Sequence, residues 1–466
     1  MTVTSVAQKV RLRNRAFTIG ASTMLALGGS YYVILMNSSD LESDSLPFEN
    51  ITNSKWFSGV AALILLLGVV FAFGRAYNNY SVPKAEFDWS ARGLSDFHSL
   101  YTYAKAFRQG LSPYESHETE DLLMSRPSAP FSPLIFFIMW PLSMLPMYAA
   151  DVLLCMANLA MIGWIARQVF AYARVKVDRG WWLAVFGFLV FSRAGHITLY
   201  TGYITPMLVI GTLMAFQYGK KKPWLSGIGI LLASVKPTYL IPLLILLAFR
   251  RNYKAAVIGL LLSVAVAFAG LTWLALDSSY GHVLDTIQHG QDAFQEDESE
   301  FPINTWTRID LVGMFAKVID WNPDKSVYLA AMVVLLIPPG IVIRKIALEE
   351  QNSSATGLSA FIGILALLIG IYHHAYDCLL FTVPWLAMIL FGKQTLSHVP
   401  RWQQITIGLL LFVPAINYAA TLAFRNLMKL DQYSFTWQSI TMVNGVCITL
   451  SLLILMFAAW RADDRA

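Results

Sequence analysis

"LSGIGILLASVKPTYLIPLLILLAFRRNYK", residues 225–254, is apolar along most of its length yet places Lys236 beside Pro237 near its middle. A lysine at the centre of a bilayer costs about 2.5–3.5 kcal/mol on insertion scales unless it meets an anion or lines a wet cavity. The stretch has two readings, and the topology turns on the choice. As one span, 225–249 crosses the membrane and the prolines at 237 and 242 kink it. Split at Lys236 and Pro237, it yields two segments of about twelve residues, each too short to cross unaided. The single span is the expectation, with "FRRNYK" (249–254) forming a basic cytoplasmic loop.

Working outward, the 466 residues are 56% hydrophobic and 14% charged, which excludes an ordinary soluble globule. Apolar runs recur from residues 16–37 to 439–460, and each must satisfy its backbone internally. The expected fold is an all-α polytopic membrane protein of about 12–13 transmembrane helices. Two long polar segments, 75–131 and 276–325, read as structured outer loops. The chain then divides into an extra N-terminal helix and short loop (1–55), a seven-helix module (56–275), a second outer loop (276–325) and C-terminal transmembrane helices (326–466). "QKVRLRNR" followed by an apolar run without a clear cleavage site reads as a retained helix. The net charge of +5 fits basic cytoplasmic loops rather than nucleic-acid binding. Cys155, Cys378 and Cys447 sit in apolar runs without CxxC spacing, so neither a disulfide framework nor a zinc site is expected.

"IRKI" (343–346) and the Lys393–Arg401 loop alternate with the acidic loop around Asp292–Glu300 and with "YHHAYD" (372–377), which assigns the latter two to the outer side. Counting spans backward puts the loop carrying Asp96 on that side too. The same count leaves "ARVKVDRG" (173–180) and "GKKKP" (219–223) outside, against the positive-inside rule. Splitting 225–249 would bring both loops inside.

The candidate chemistry clusters in four places. In "LSDFHSLYTYAKAFRQGLSPYE" (94–115), Phe97, Leu100, Tyr101, Ala104 and Phe107 share one helical face and Asp96 stands at the head of the stretch. A carboxylate there can take a proton from an attacking hydroxyl, or can cap the helix, a task Ser95 would serve equally well. Lys236 calls for an anion, either a substrate phosphate or an internal carboxylate such as Asp377. His373, His374 and Asp377 at a helix end can hydrogen-bond phosphate or sugar hydroxyls, or be ordinary interfacial polarity. Two histidines and one aspartate in one turn lack an obvious fourth ligand, so no metal is expected. Arg193 and His196 in "FSRAGHITLY" (191–200) either shape the same cavity or snorkel. Tyr114, Tyr203 and Trp306 can stack on sugar faces or belong to an interfacial belt. The acidic run 292–300 reads as solvated surface.

The order of these elements resembles glycosyltransferase family 87, polyprenyl-phosphate-mannose-dependent mannosyltransferases of the GT-C superfamily. Asp96, Tyr101, Gly110, Pro113 and Tyr114 match the family's first outer loop. "FSPLIFFIMWPLSMLP" (131–146), "GYITP" (202–206), "GIGILLASVKP" (227–237) and "HHAYD" (373–377) follow in the family's order. Phe131 and Ser132 replace an aromatic-proline pair, and Tyr203 stands where glutamine usually follows the glycine. The resemblance implies a GT-C-type bundle. It implies Asp96 as general base, with Lys236, His373, His374, Asp377, Tyr203, Tyr101 and Tyr114 toward donor phosphate or sugar; Arg193 and His196 join that set only on their charge near a helix end. It also implies a polyprenyl-phosphate sugar as donor, a glycolipid, glycan or protein as acceptor, membrane lipid as surroundings, and no cofactor. The active site would face outward from the plasma membrane. The rivals are a transporter or flippase of lipid-linked sugars, an arabinosyl transferase using the same carrier, and a glycan ligase or polymerase.

Overall fold

The described residues of the computed structural model, 55–80, 96–115, 129–276, 278–349, 357–396 and 399–462, form eighteen α-helices and no strand. The expectations for the run 16–37 and for Ser95 as a cap lie outside them. In chain order the helices are α1 (Lys55–Tyr80), α2 (Asp96–Arg108), α3 (Pro133–Met139), α4 (Met147–Ala173), α5 (Arg179–Phe191), α6 (Arg193–Thr201), α7 (Thr205–Tyr218), α8 (Pro223–Ala233) and α9 (Leu240–Phe249). The second half supplies α10 (Tyr253–Ala275), α11 (Tyr280–Glu296), α12 (Leu311–Ile319), α13 (Lys325–Glu349), α14 (Gly357–Gly370), α15 (Thr382–Thr395), α16 (Arg401–Ile416), α17 (Leu422–Met428) and α18 (Phe435–Ala462).

Six stretches among the described residues are long and apolar enough to cross a membrane: Trp56–Gly74, Met147–Ala173, Tyr253–Ala275, Lys325–Ala347, Ala375–Gly392 and Phe435–Arg461. The helices α5 and α6, bent by 65° at Ser192, make a seventh if the pair is one span. The chain is therefore an all-α polytopic membrane protein, as its composition requires. Its centre is α14, which is hydrophobic all round and buried from Ser359 to Gly370.

The opening stretch departs from the single-span expectation. It is broken at Ser234–Lys236, where Lys236 is extended (φ −97°, ψ 104°) and Pro237 starts a 3₁₀ turn, Pro237–Tyr239, ahead of α9. Helix α8 lies antiparallel on α7 at backbone contact. A Cβ placed on Gly229 would fall 2.6 Å from the Gly211 carbonyl oxygen, and the Ser226 hydroxyl donates to the Ala215 carbonyl at 2.6 Å. Helix α9 then returns to the level where α8 began. Arg250, just past its end, donates to the Phe216 carbonyl at the end of α7, and Asn252 packs against Gly219 in the α7–α8 turn. Both halves thus meet the basic end of the bundle, and Lys236 and Pro237 form the far tip of a re-entrant pair, one that enters and leaves by the same end.

This geometry also settles the loops that offended the single-span count. Trp181 at the start of α5 packs on Phe57 at the start of α1. Tyr172 at the end of α4 donates to the Gly357 carbonyl, Phe170 meets Phe391, and Gly340 meets Phe249. Lys345 donates to the Trp460 carbonyl at 3.0 Å. Loops 173–179, 219–222 and 250–254 therefore lie at the same end as Lys345 and Arg461, and these basic loops gather there. At the other end, Trp273 of α10 donates to the Phe107 carbonyl of α2 at 2.8 Å, and Ser132 donates its N–H to Val235 beside the re-entrant tip at 2.9 Å.

Candidate active site

The end opposite the basic loops contains a cavity of about 550 Å³. Asp96 reaches it because of how α2 is anchored. Phe97 is wholly buried against Gly202, where a Cβ would fall 2.6 Å from the Phe97 Cβ and φ is +70°, so only glycine suits that turn. The Tyr101 hydroxyl donates to the Leu145 carbonyl at 2.7 Å. With that face fixed, Asp96, Ser99 and Tyr103 turn to the cavity wall, and Asp96 is half-buried.

Lys236 joins the wall from the re-entrant tip. Its ammonium donates to Asp377 Oδ2 at 3.0 Å, so the partner chosen among the two anticipated is the internal carboxylate. Asp377 Oδ2 also takes Nδ1 of His373 at 2.8 Å and the backbone N–H of His374 at 3.3 Å. A carboxylate can only accept, so Nδ1 of His373 carries the proton. The Tyr239 hydroxyl stands 3.3 Å from the same nitrogen. Asp377 and His373 are fully buried and stand behind the wall, whereas His374 is part of it, with its Nδ1 2.6 Å from the Thr307 hydroxyl.

Arg308 is the charged donor that sequence reasoning missed. An isolated antiparallel bridge pairs Arg308 with His374, through Ile309 N–H to the His373 carbonyl at 3.1 Å and Ala375 N–H to the Thr307 carbonyl at 2.8 Å. That bridge sets the second outer loop against the "YHHAYD" turn and brings the guanidinium into the wall. Asp310 holds it through Nε at 2.9 Å and Nη2 at 2.8 Å, while also capping α12 through Gly313 N–H at 2.7 Å. Its Nη1 donates to the Tyr328 hydroxyl at 2.9 Å, and the Tyr372 ring lies 4.5 Å from the guanidinium carbon. Burial works to lower its proton affinity, but the Asp310 carboxylate outweighs it and holds Arg308 charged above the ordinary arginine range. A lone arginine two residues ahead of an acid, inside an otherwise acidic loop, was the available signal.

Aromatic rings continue the wall. Phe131 and Tyr203 have centroids 6.0 Å apart, Tyr203 and Tyr376 4.6 Å, Tyr376 and His374 5.1 Å, and His374 and Tyr372 4.9 Å. Glu300 accepts from the Tyr372 hydroxyl at 2.6 Å and, with Glu296, belongs to the wall, so part of the acidic run read as solvated surface faces the cavity. Asp292 does stay on the surface, paired with Lys325 at 2.6 Å.

The other anticipated residues lie elsewhere. The Tyr114 hydroxyl donates to the Phe131 carbonyl at 3.1 Å and, like that of Tyr101, is committed to backbone away from the cavity. Arg193 is buried behind it, 5.6 Å from the Trp306 ring and 6.0 Å from the Tyr418 ring. His196 stacks on Phe71 at 4.9 Å, between α6 and α1. Among the described residues no three His, Cys, Asp or Glu side chains converge as a metal would require.

Residues 131–370 match the family model described as glycosyltransferase family 87. The matched stretch includes Tyr203, Lys236 and Arg308, and stops short of Asp96 on one side and of the His373–Asp377 turn on the other. No curated protein and no solved structure matches the chain.

Proposed function

The chain belongs to glycosyltransferase family 87, and on that premise we propose that it transfers mannose from a polyprenyl-phosphate donor to an acceptor hydroxyl at the outer membrane face, with inversion at the anomeric carbon. The observation that carries the proposal is a single cavity holding Asp96 together with two buried cations, Lys236 and Arg308, each fixed by its own carboxylate. Asp96 takes the proton of the acceptor hydroxyl as its oxygen forms the new bond to the anomeric carbon. The bond from that carbon to the phosphate oxygen breaks, and the lipid phosphate leaves with the electron pair. Lys236 has two N–H groups beyond the one given to Asp377, and Arg308 retains donors beyond those given to Asp310 and Tyr328, so both can hold the departing phosphate. His374 adds a further polar contact, and the rings from Phe131 to Tyr372 offer faces for the sugar. His373 and Asp377, which stand behind the wall, act as positioning residues for Lys236. Tyr101, Tyr114, Arg193 and His196 are proposed only as supports of this geometry.

The gathering of basic loops at the opposite end supports the outward orientation, because basic loops favour the cytoplasmic side. The test is transfer of radiolabelled mannose from synthetic polyprenyl-phosphate mannose to a membrane extract by purified protein. Asp96→Asn is expected to remain folded and to lose about a hundredfold to ten-thousandfold in rate. Full activity in that variant overturns the assignment of the base. Transfer from another polyprenyl-phosphate sugar but not from mannose corrects the sugar alone, and transfer from no such donor overturns the proposal.

A further inference from the structure

A second concavity, of about 600 Å³, lies far from the cavity, between α4 and α5. Its floor is made by Leu159, Ala160 and Gly163 of α4 and Phe186 of α5. Gly163 lets the Phe186 ring lie close on α4, since a Cβ there would fall 3.1 Å from it, and the Trp182 indole donates to the Gly163 carbonyl at 3.0 Å, tying the two helices together along the groove. Arg167 lies at its upper end, exposed, about 12 Å along the helix from Leu159 and about 9 Å before the end of α4. Among the described residues no acid pairs with it. The loop beyond, which contributes Val177 to the groove, adds Lys176, and the start of α5 adds Arg179, against one acid, Asp178, which caps α5 through Trp181 N–H at 2.9 Å.

We infer that this groove is a binding site for an anionic phospholipid of the leaflet at the basic end. The three layers of the site match the three layers of such a molecule. An exposed arginine below the end of a membrane-spanning helix must find a counter-charge, and with its stem along the helix the guanidinium reaches the phosphate level. The basic loop supplies further positive charge at that level. Trp164 and Trp182 stand where the glycerol backbone would pass. Leu159, Ala160 and Phe186 take an acyl chain. Charge selects the headgroup, so a zwitterionic lipid fits the floor but not the mouth.

Native mass spectrometry of the full-length protein, titrated separately with phosphatidylglycerol and phosphatidylcholine, tests the assignment. One phosphatidylglycerol is expected to be retained in preference, and Arg167→Gln is expected to weaken that retention about fivefold to tenfold while leaving phosphatidylcholine unchanged. Ala160→Trp, which fills the floor, is expected to lose the retained lipid. Equal retention of the two lipids by the unaltered protein, or unchanged retention in Arg167→Gln, overturns the inference. Should either variant fail to fold, a photoreactive p-benzoylphenylalanine at position 160 decides instead. A crosslink to phospholipid supports the site, and a crosslink to another stretch of this chain or to a second copy overturns it.

Discussion

At the scale of single residues, the Lys236–Asp377 pair does two separable things. An ion pair this buried is poor evidence for stability in itself, but removing one partner strands the other charge, typically at about 3–5 kcal/mol. Asp377→Ala should therefore lower the unfolding temperature in detergent markedly. The double variant Lys236→Met with Asp377→Leu should recover most of that loss yet still fail to transfer sugar, because the ammonium proposed to face the phosphate is gone. Recovery of both stability and activity would assign the pair to packing alone. Lys317 offers a second check. It is buried, its ammonium donates to the Thr441 hydroxyl at 3.0 Å, and burial, aided by Arg308, pulls its pKa down from 10.5 to about 7. Between those values the unfolded chain binds a proton that the folded protein does not, so stability must rise with pH from about 7 toward 10.5. Unfolding temperatures of the unaltered protein and Lys317→Met, measured across that range, should converge as the pH rises. Much of this was legible in the residues. Asp96, Lys236 and Asp377 stand out as charges in apolar surroundings, and Asp377 was one of two partners anticipated for Lys236. Arg308 was not legible, because its place depends on a bridge to a turn 66 residues away and not on any local pattern. The hydroxyls of Tyr101 and Tyr114 went the other way: motif position marked them for substrate, whereas the nearest acceptors are backbone carbonyls.

The re-entrant pair belongs to the next scale, that of the element. Hydropathy treats α8 and α9 as one run because both halves are apolar, and a period of 3.6 residues cannot report which way a chain turns. Length counts against two separate spans, but the rule is for a lone helix, and α8 is braced along α7. The small residues were the better guide, since Gly211 and Gly229 allow α7 and α8 to touch at the backbone and so favour a tight antiparallel hairpin. A membrane-impermeant maleimide should label Lys221→Cys and Lys254→Cys from the same side of oriented vesicles, with little background from Cys155, Cys378 and Cys447, which are buried. Labelling from opposite sides would restore the single span.

For the whole molecule, that hairpin brings composition and charge into agreement. The all-α membrane class follows from hydrophobic content alone, whereas the sidedness of the loops depended on one local break. With the pair re-entrant, the basic loops share an end and the cavity lies at the other. Asp292→Cys, at an exposed position of α11, should then react only from the side opposite Lys221→Cys. Reaction of both from one side would refute the arrangement. A stretch that enters and leaves by the same face adds nothing to the parity of crossings. Excising it, or acquiring it by insertion, would leave every downstream helix pointing as it does, so an ancestor of this chain could have gained the segment that delivers Lys236 without turning the rest of the protein inside out.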